Sequence, residues 1–183
     1  MIRLRRFPLT ALAAALVGAH MALFGFASGS AAQDRGSDRR GTGLPLPRFV
    51  SLKSDPVNVR RGPGQDYDVA FTFVRTGLPV EIIEEFGNWR KIRDSEGSEG
   101  WVFHSLLSGR RTAIVAPWEQ DGRYAARSTA EPTAAIVAYL EPRVVAEVDE
   151  CTGTWCLLSG KGFEGWIEQE RLWGVYPNEA IDE

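Results

Sequence analysis

The chain is poor in the side chains that carry acid–base and nucleophilic chemistry. Among 183 residues there are two histidines, two cysteines and two methionines. His20 falls in the N-terminal segment, which leaves His104 as the other histidine. A Ser–His or Cys–His mechanism needs a base within hydrogen-bond reach of its nucleophile. Ser105 follows His104 directly, but chain neighbours on a tight turn rarely face each other in those roles. Cys151 and Cys156 lie far along the chain from His104. A structural metal needs about four ligands, and this set does not supply them, so neither a metal nor a cofactor is expected. A phosphate-binding loop is also missing: Gly62-Pro63-Gly64 is followed by no Lys-Ser/Thr and no helical pattern. Beyond residue 32 no stretch has a convincing helical period.

Positive charge is scarce as well. The formal net charge is −3, and it becomes −6 without Arg3, Arg5 and Arg6. Nucleic-acid binding relies on a dense basic surface. Arg60-Arg61 and Arg110-Arg111 are the local candidates, and such pairs most often form a solvated edge. No nucleic-acid partner is expected.

What is present begins with an address. Arg3, Arg5 and Arg6 precede an apolar run over residues 9 to 27, and Ser30-Ala31-Ala32 offers small residues for cleavage. Residues 1–32 are read as a signal peptide, which implies a periplasmic or secreted protein. The alternative is an uncleaved membrane anchor. Residues 33–47 are polar and Gly-rich and then Pro-rich, which reads as a flexible linker. Its end, Leu44-Pro45-Leu46-Pro47-Arg48, also has the composition of a polyproline ligand. The mature chain of about 150 residues allows one domain or two small ones.

The rest of the chain repeats itself. Asn88-Trp89-Arg90-Lys91-Ile92, Glu99-Gly100-Trp101-Val102 and Leu107 are answered by Thr154-Trp155-Cys156-Leu157-Leu158, Glu164-Gly165-Trp166-Ile167 and Leu172. Short β-rich runs separated by Gly, Pro and Asn signals predict small barrels or sandwiches. Arg111 to Val115 is expected to close the first sheet. The boundaries read as residues 48–116 for the first barrel and 117–183 for the second. Cys151 and Cys156 flank Thr152-Gly153-Thr154-Trp155, a hairpin loop that would set them facing each other, so a disulfide is a candidate in an oxidising compartment.

Asn58-Val59-Arg60, Gly62-Pro63-Gly64, Gly77-Leu78-Pro79-Val80, Trp89 and Gly100-Trp101-Val102 occur in the order found in bacterial Src-homology-3-like domains, which this stretch resembles. The resemblance covers residues 49 to 115 well and 122 to 176 more weakly, because Ala125-Ala126-Arg127 replaces Asn-Val-Arg and no Gly-Pro follows. It implies an all-β chain of two tandem SH3-like barrels, and modules that bind peptides, proteins or cell-wall material in the envelope.

Trp101 and Trp166, each after a close-packing glycine (Gly100, Gly165), are expected in the cores. Val59, Val80, Ile82, Ile92, Val102 and Leu107 would surround the first. Val137, Val144, Val148, Leu157, Ile167 and Leu172 would surround the second. Trp89 and Trp155 follow hairpin turns, where a side chain can lie outside. Trp89 with Tyr67 and Phe103 would form an apolar platform for an extended ligand, or else Trp89 covers the seam between repeats. Asn58 is expected to bond a loop backbone, Arg60 to pair with Glu81, Glu84 or Glu85, and Gly62 with Pro63 to set a turn.

Three functions are compatible with this pattern. One is a non-catalytic envelope module that binds a peptide, a protein or peptidoglycan. Another is a structural subunit with its tryptophans buried in oligomer contacts. The least favoured is a cell-wall enzyme, since a barrel of about 60 residues has little room for a cleft.

Overall fold

The computed structural model describes residues 41–182, and the signal segment and residues 33–40 of the linker lie outside them. The fold is all β, in two sheets of one topology. The first holds β1 (Arg48–Leu52), β2 (Val57–Arg60), β3 (Val69–Phe73), β4 (Pro79–Phe86), β5 (Trp89–Arg93), β6 (Glu99–Phe103) and β7 (Leu107–Ser108). The second holds β8 (Thr112–Val115), β9 (Tyr124–Arg127), β10 (Ile136–Leu140), β11 (Val145–Thr152), β12 (Trp155–Gly160), β13 (Phe163–Glu168), β14 (Leu172–Trp173) and β15 (Ala180–Ile181). The strand orders are β3-β2-β6-β5-β4-β1-β7 and β10-β9-β13-β12-β11-β8-β14, with β15 added beside β11.

The turns follow from glycine. Gly87 and Gly153 take positive φ as the first residue of two-residue hairpin loops, the geometry that matches strand twist. β4 begins on Pro79, where a missing N–H costs least. A bulge between Ile82 and Glu84 kinks β4, and one between Val148 and Glu150 kinks β11 at the matching place.

Thr112–Val115 corrects an expectation. This strand does not close the first sheet; it pairs with β11 and β14. The reason is that β8 repeats β1. Leu52 N–H donates to Leu78 O and Gly77 N–H to Leu52 O, while Val115 N–H donates to Val144 O and Arg143 N–H to Val115 O. Each module therefore opens with the strand that its own last strand needs as a neighbour.

The first core is Leu52, Val57, Val59, Val80, Ile82, Ile92 and Val102, with Leu107 at its margin. Trp101 is buried but is not part of it. Gly100 and Val102 face the core, so Trp101 between them points to the other face. In the second module Val148, Ile167 and Leu172 are buried as expected and Val144 partly so. Two positions differ. Leu158, rather than Leu157, is the buried leucine of β12, one register step along. Val137 is 51% exposed, because the β9–β10 register shifts between Ile136 and Ala138 and leaves it unpaired. Trp166 is half-buried.

Candidate functional site

The repeat places Trp89 and Trp155 at equivalent points. Trp89 pairs across the sheet with Phe103, and Trp155 with Glu168. The next backbone bond also matches: His104 N–H donates to Asn88 O, and Gln169 N–H to Thr154 O. Both tryptophans follow a Gly-initiated hairpin, yet their surroundings diverge.

Trp89 is half-buried and meets Phe103 edge to face, with ring centroids 5.4 Å apart. The two rings wall a hollow of about 270 Å³ that also takes in Asn58, Arg60, Gln65 and Ser105. Trp155 is buried, 8% exposed, and is no exposed platform. The equivalent hollow beside it holds about 60 Å³ and is lined by Ala125, Arg127, Glu168 and Arg171. Phe103 has become Glu168 and Asn58 has become Ala125, so the second hollow, which Tyr124 and Trp155 also line, has lost the Phe103 ring and the amide.

Tyr67 does not line the Trp89 hollow. It is 50% exposed, and its ring lies across Gly62 and Gly64. A Cβ on Gly62 would stand 2.4 Å from that ring. Gly62 φ is not positive, so this glycine is needed for room more than for a turn. Arg60 does not pair with Glu81, Glu84 or Glu85. Its Nη1 donates to Tyr67 O at 2.6 Å and fixes the loop that carries the ring. Arg127 makes the same bond to Ala134 O at 2.8 Å. The retained Arg of the Asn-Val-Arg and Ala-Ala-Arg triplets was the signal for this clamp. Asn58 bonds no loop backbone; its Oδ1 accepts from Thr72 Oγ1 across the β2–β3 pair at 2.9 Å.

Two of the carboxylates proposed for Arg60, Glu85 and Glu81, are engaged elsewhere. Glu85 accepts from Thr42, Arg48 and Arg90. Burial alone would raise its carboxyl, but the bonds from Arg48 and Thr42 and the charge of Arg90 hold it below the ordinary value. These contacts tie the polyproline stretch to β4. Glu81 is buried and receives Arg93 on Oε2 and the Tyr176 hydroxyl on Oε1, the latter at 2.9 Å. Burial first, and then the bond and charge of Glu81, push the Tyr176 hydroxyl well above its usual range.

Glu81 and Tyr176 belong to a junction that the sequence did not reveal. Phe49 of β1 sits against Trp173 and Tyr176, at 5.2 Å and 4.7 Å between centroids. Arg111 lies over the Phe49 ring and forks onto Glu179. Arg110 meets Glu147. Arg111 thus stitches the junction, while Arg110, exposed against an exposed Glu147, keeps the solvated edge expected of the pair. Beside it opens a groove of about 920 Å³, bounded by Phe49, Glu81, Trp155, Gln169, Trp173 and Tyr176 among others. Cys151 and Cys156 stand opposite each other in the β11–β12 register and are joined as a disulfide. Neither sulfur is a free thiolate, the form a nucleophile requires.

A sequence profile described as the bacterial SH3 domain matches residues 53–109 and again 120–174. The chain belongs to the bacterial SH3 domain family. Both modules carry the match, including the second with its altered opening. Membership supports the coarse reading of the chain as a binding module. A putative N-acetylmuramoyl-L-alanine amidase, YrvJ of Bacillus subtilis (strain 168), is 26% identical over 141 residues. That alignment takes in 72% of this chain and 27% of the relative, so the chain spans about a quarter of the relative's length. Two solved structures, NlpC1 and NlpC2 from Trichomonas vaginalis, align over 72% and 71% of this chain and 47% and 49% of theirs. Identity is 12% and the TM-score 0.32 in both, too loose a likeness to carry function.

Proposed function

We propose that this chain is an exported, non-catalytic recognition protein of the cell envelope, and that its first bacterial SH3 module holds the ligand at the Trp89 hollow. The observation that carries the reading is the contrast between equivalent places. The first module keeps a roomy hollow with two aromatic walls and the polar ends of Asn58, Arg60 and Gln65. Aromatic walls with a few polar groups are how small β modules hold extended ligands. The envelope assignment draws on the signal-like residues 1–32, on the family, and on the name of the amidase relative. The ligand class is a peptide, a protein or peptidoglycan.

Absence of catalysis is part of the proposal. His104 packs beside Phe103, 4.9 Å between rings, and both cysteines are consumed in the disulfide. The test is capture from envelope extract and on purified peptidoglycan by residues 33–183, against Trp89→Ala. Capture that disappears in a folded variant supports the site. Capture unchanged by Trp89→Ala sinks it, and cleavage of peptidoglycan by the pure chain sinks the non-catalytic reading.

A further inference from the structure

The Trp89 hollow has one charged group in its lining, the guanidinium of Arg60, and no carboxylate. Arg60 is half-buried. Its Nη1 donates to Tyr67 O, and it makes no ion pair among the described residues. That sets it apart. Arg48, Arg90, Arg93, Arg111 and Arg171 are also buried or half-buried, and each holds a carboxylate. Arg127 shares its small hollow with Glu168. A guanidinium partly withdrawn from water gains from a counter-charge, and Arg60 is the one in this group whose hollow supplies none.

The clamp on Tyr67 O does not account for the rest of the hollow. Arg127 makes the same clamp in a space of about 60 Å³, with Ala125 where the first module has Asn58. The frame therefore needs neither the room nor the amide. In the first module the same arginine opens onto about 270 Å³ with Asn58, Gln65 and Ser105 around it. Asn58 Oδ1 accepts from Thr72, which leaves its N–H groups as the open end of the amide. A guanidinium with amide and hydroxyl donors beside it is the donor set that a carboxylate takes. The space is below the roughly 300–1,000 Å³ that encloses a whole small molecule, so a chain end or one side chain enters. Asp55, Asp66 and Asp68 are close along the chain but do not line it. Their field, and the net charge of −3, turn away a polyanion and leave room for a single charge held at short range.

We propose that the Trp89 hollow selects a ligand group bearing one carboxylate, held by Arg60 with Asn58, Gln65 and Ser105, on an apolar stem that lies against Trp89 and Phe103. The proposal rests on the reading of this hollow as the binding site and names the chemistry that it takes. The carboxylate is either the end of a peptide chain or an acidic side chain, and the two sources are separated by the choice of probe.

The experiment is a titration of residues 33–183 followed by the indole N–H signals, with Trp89→Ala assigning the Trp89 signal. The probes are N-acetyl-trialanine as its free acid, the same peptide as its terminal amide, and an N-acetylated alanine–glutamate–alanine amide. Saturable shifts of the Trp89 indole are expected, with the free acid or the glutamate peptide bound about three- to tenfold more tightly than the trialanine amide. Preference for the free acid places the carboxylate at a chain end, and preference for the glutamate peptide places it on a side chain. The preference should shrink as salt rises. Asn58→Asp keeps an oxygen for Thr72 and puts a negative charge in the hollow, so it should abolish the preference. Gln65 is exposed, and Gln65→Glu is the variant that decides if Asn58→Asp unfolds. Three results overturn the proposal: no shift with any probe up to about 10 mM, equal binding of acids and amide, or a preference that survives the added charge. Envelope capture lost in Trp89→Ala together with equal binding of acid and amide removes this inference and leaves the Trp89 reading standing. Capture unchanged by Trp89→Ala removes that reading, and this inference with it.

Discussion

In the first module Arg60 reaches the carbonyl of Tyr67, and in the second Arg127 reaches that of Ala134, seven residues on in each case. Gly100 and Gly165 both lie under the strand that carries this arginine, where a Cβ would stand 2.9 Å from Arg60 O and 3.2 Å from Arg127 O. These parts of the two modules are the same because the barrel backbone demands them. Elsewhere the modules have parted. Val59 and Val80 correspond to Ala126 and Ala146, and the second core compensates with the cystine, Leu140 and Val175. Phe103 corresponds to Glu168, and the hollow shrinks with it. Gly77, with φ 74°, corresponds to Arg143, with φ 66°. The lesson is that the frame of this fold tolerates few residue types, whereas the site beside the hairpin tryptophan can be lost without cost to the frame. The second module has turned its tryptophan towards the junction and serves it.

That comparison can be broken in graded ways. The largest effect belongs to the tryptophans. Trp155→Ala should cost about 3–5 kcal/mol, because it empties a buried site. Trp89→Ala should cost roughly half as much, since the ring is already partly in water. Urea unfolding of both variants measures the gap. Equal losses would mean that the two tryptophans play one structural role.

Next come the glycines. Gly100→Ala would press a methyl to 2.4 Å from Val59 Cγ1 and 2.9 Å from a backbone oxygen. We expect about 2–3 kcal/mol of destabilisation from overpacking. Gly165→Ala meets Val137 Cγ2 at 2.8 Å, an exposed side chain that can swing aside, but also Ala126 Cβ at 2.9 Å and Arg127 O at 3.2 Å, so a somewhat smaller loss of about 1–2 kcal/mol is expected. A larger loss in the second module than in the first would contradict the packing described.

A smaller change of opposite sign is expected at the left-handed turn. Arg143→Gly should stabilise the chain by about 0.5–1 kcal/mol by relieving positive φ. Gly77→Ala should destabilise by a similar amount, as no contact of its own offsets the strain. Thermal melts of the two variants should move in opposite directions.

The smallest effect is on pH dependence. Glu85 in the first module and Glu179 in the second are both held below the ordinary carboxyl value of 4.5. For Glu179 burial opposes this, and the Arg111 bonds, the Tyr176 N–H and the Arg111 charge outweigh it. A carboxyl lowered on folding contributes stability that is present above its unfolded value and lost as pH falls through the folded one. Melting temperature should therefore hold above about pH 5 and decline below about pH 4.5. Arg111→Met should make that decline shallower. A decline of unchanged slope in this variant would remove Glu179 from the account.

Much of this was legible in the residues. The Gly-Trp-aliphatic steps, the Gly87-Asn88 turn and the Cys-flanked loop each act within one hairpin, so local pattern was enough to place them. The duplication was visible for the same reason. Thr112–Val115 was misplaced because a four-residue apolar strand carries no mark of which sheet it joins. Val137 and Leu157 were misplaced because a single bulge or register step exchanges the faces of a strand. Tyr67 was drawn to Trp89 by type and proximity in sequence, whereas its ring is captured by the nearer Gly62.

The sequence by itself determined the strands, the tandem barrels and the disulfide partners, since each rests on contacts between residues close along the chain or on glycines no other residue replaces. The tertiary structure decided which tryptophan faces a hollow. It also created the junction, where Phe49, Glu81 and Arg111 meet Trp173, Tyr176 and Glu179. Those contacts join residues some 70 to 130 positions apart, and a pairing across that distance is set by how two folded surfaces fit, which no local period or motif encodes.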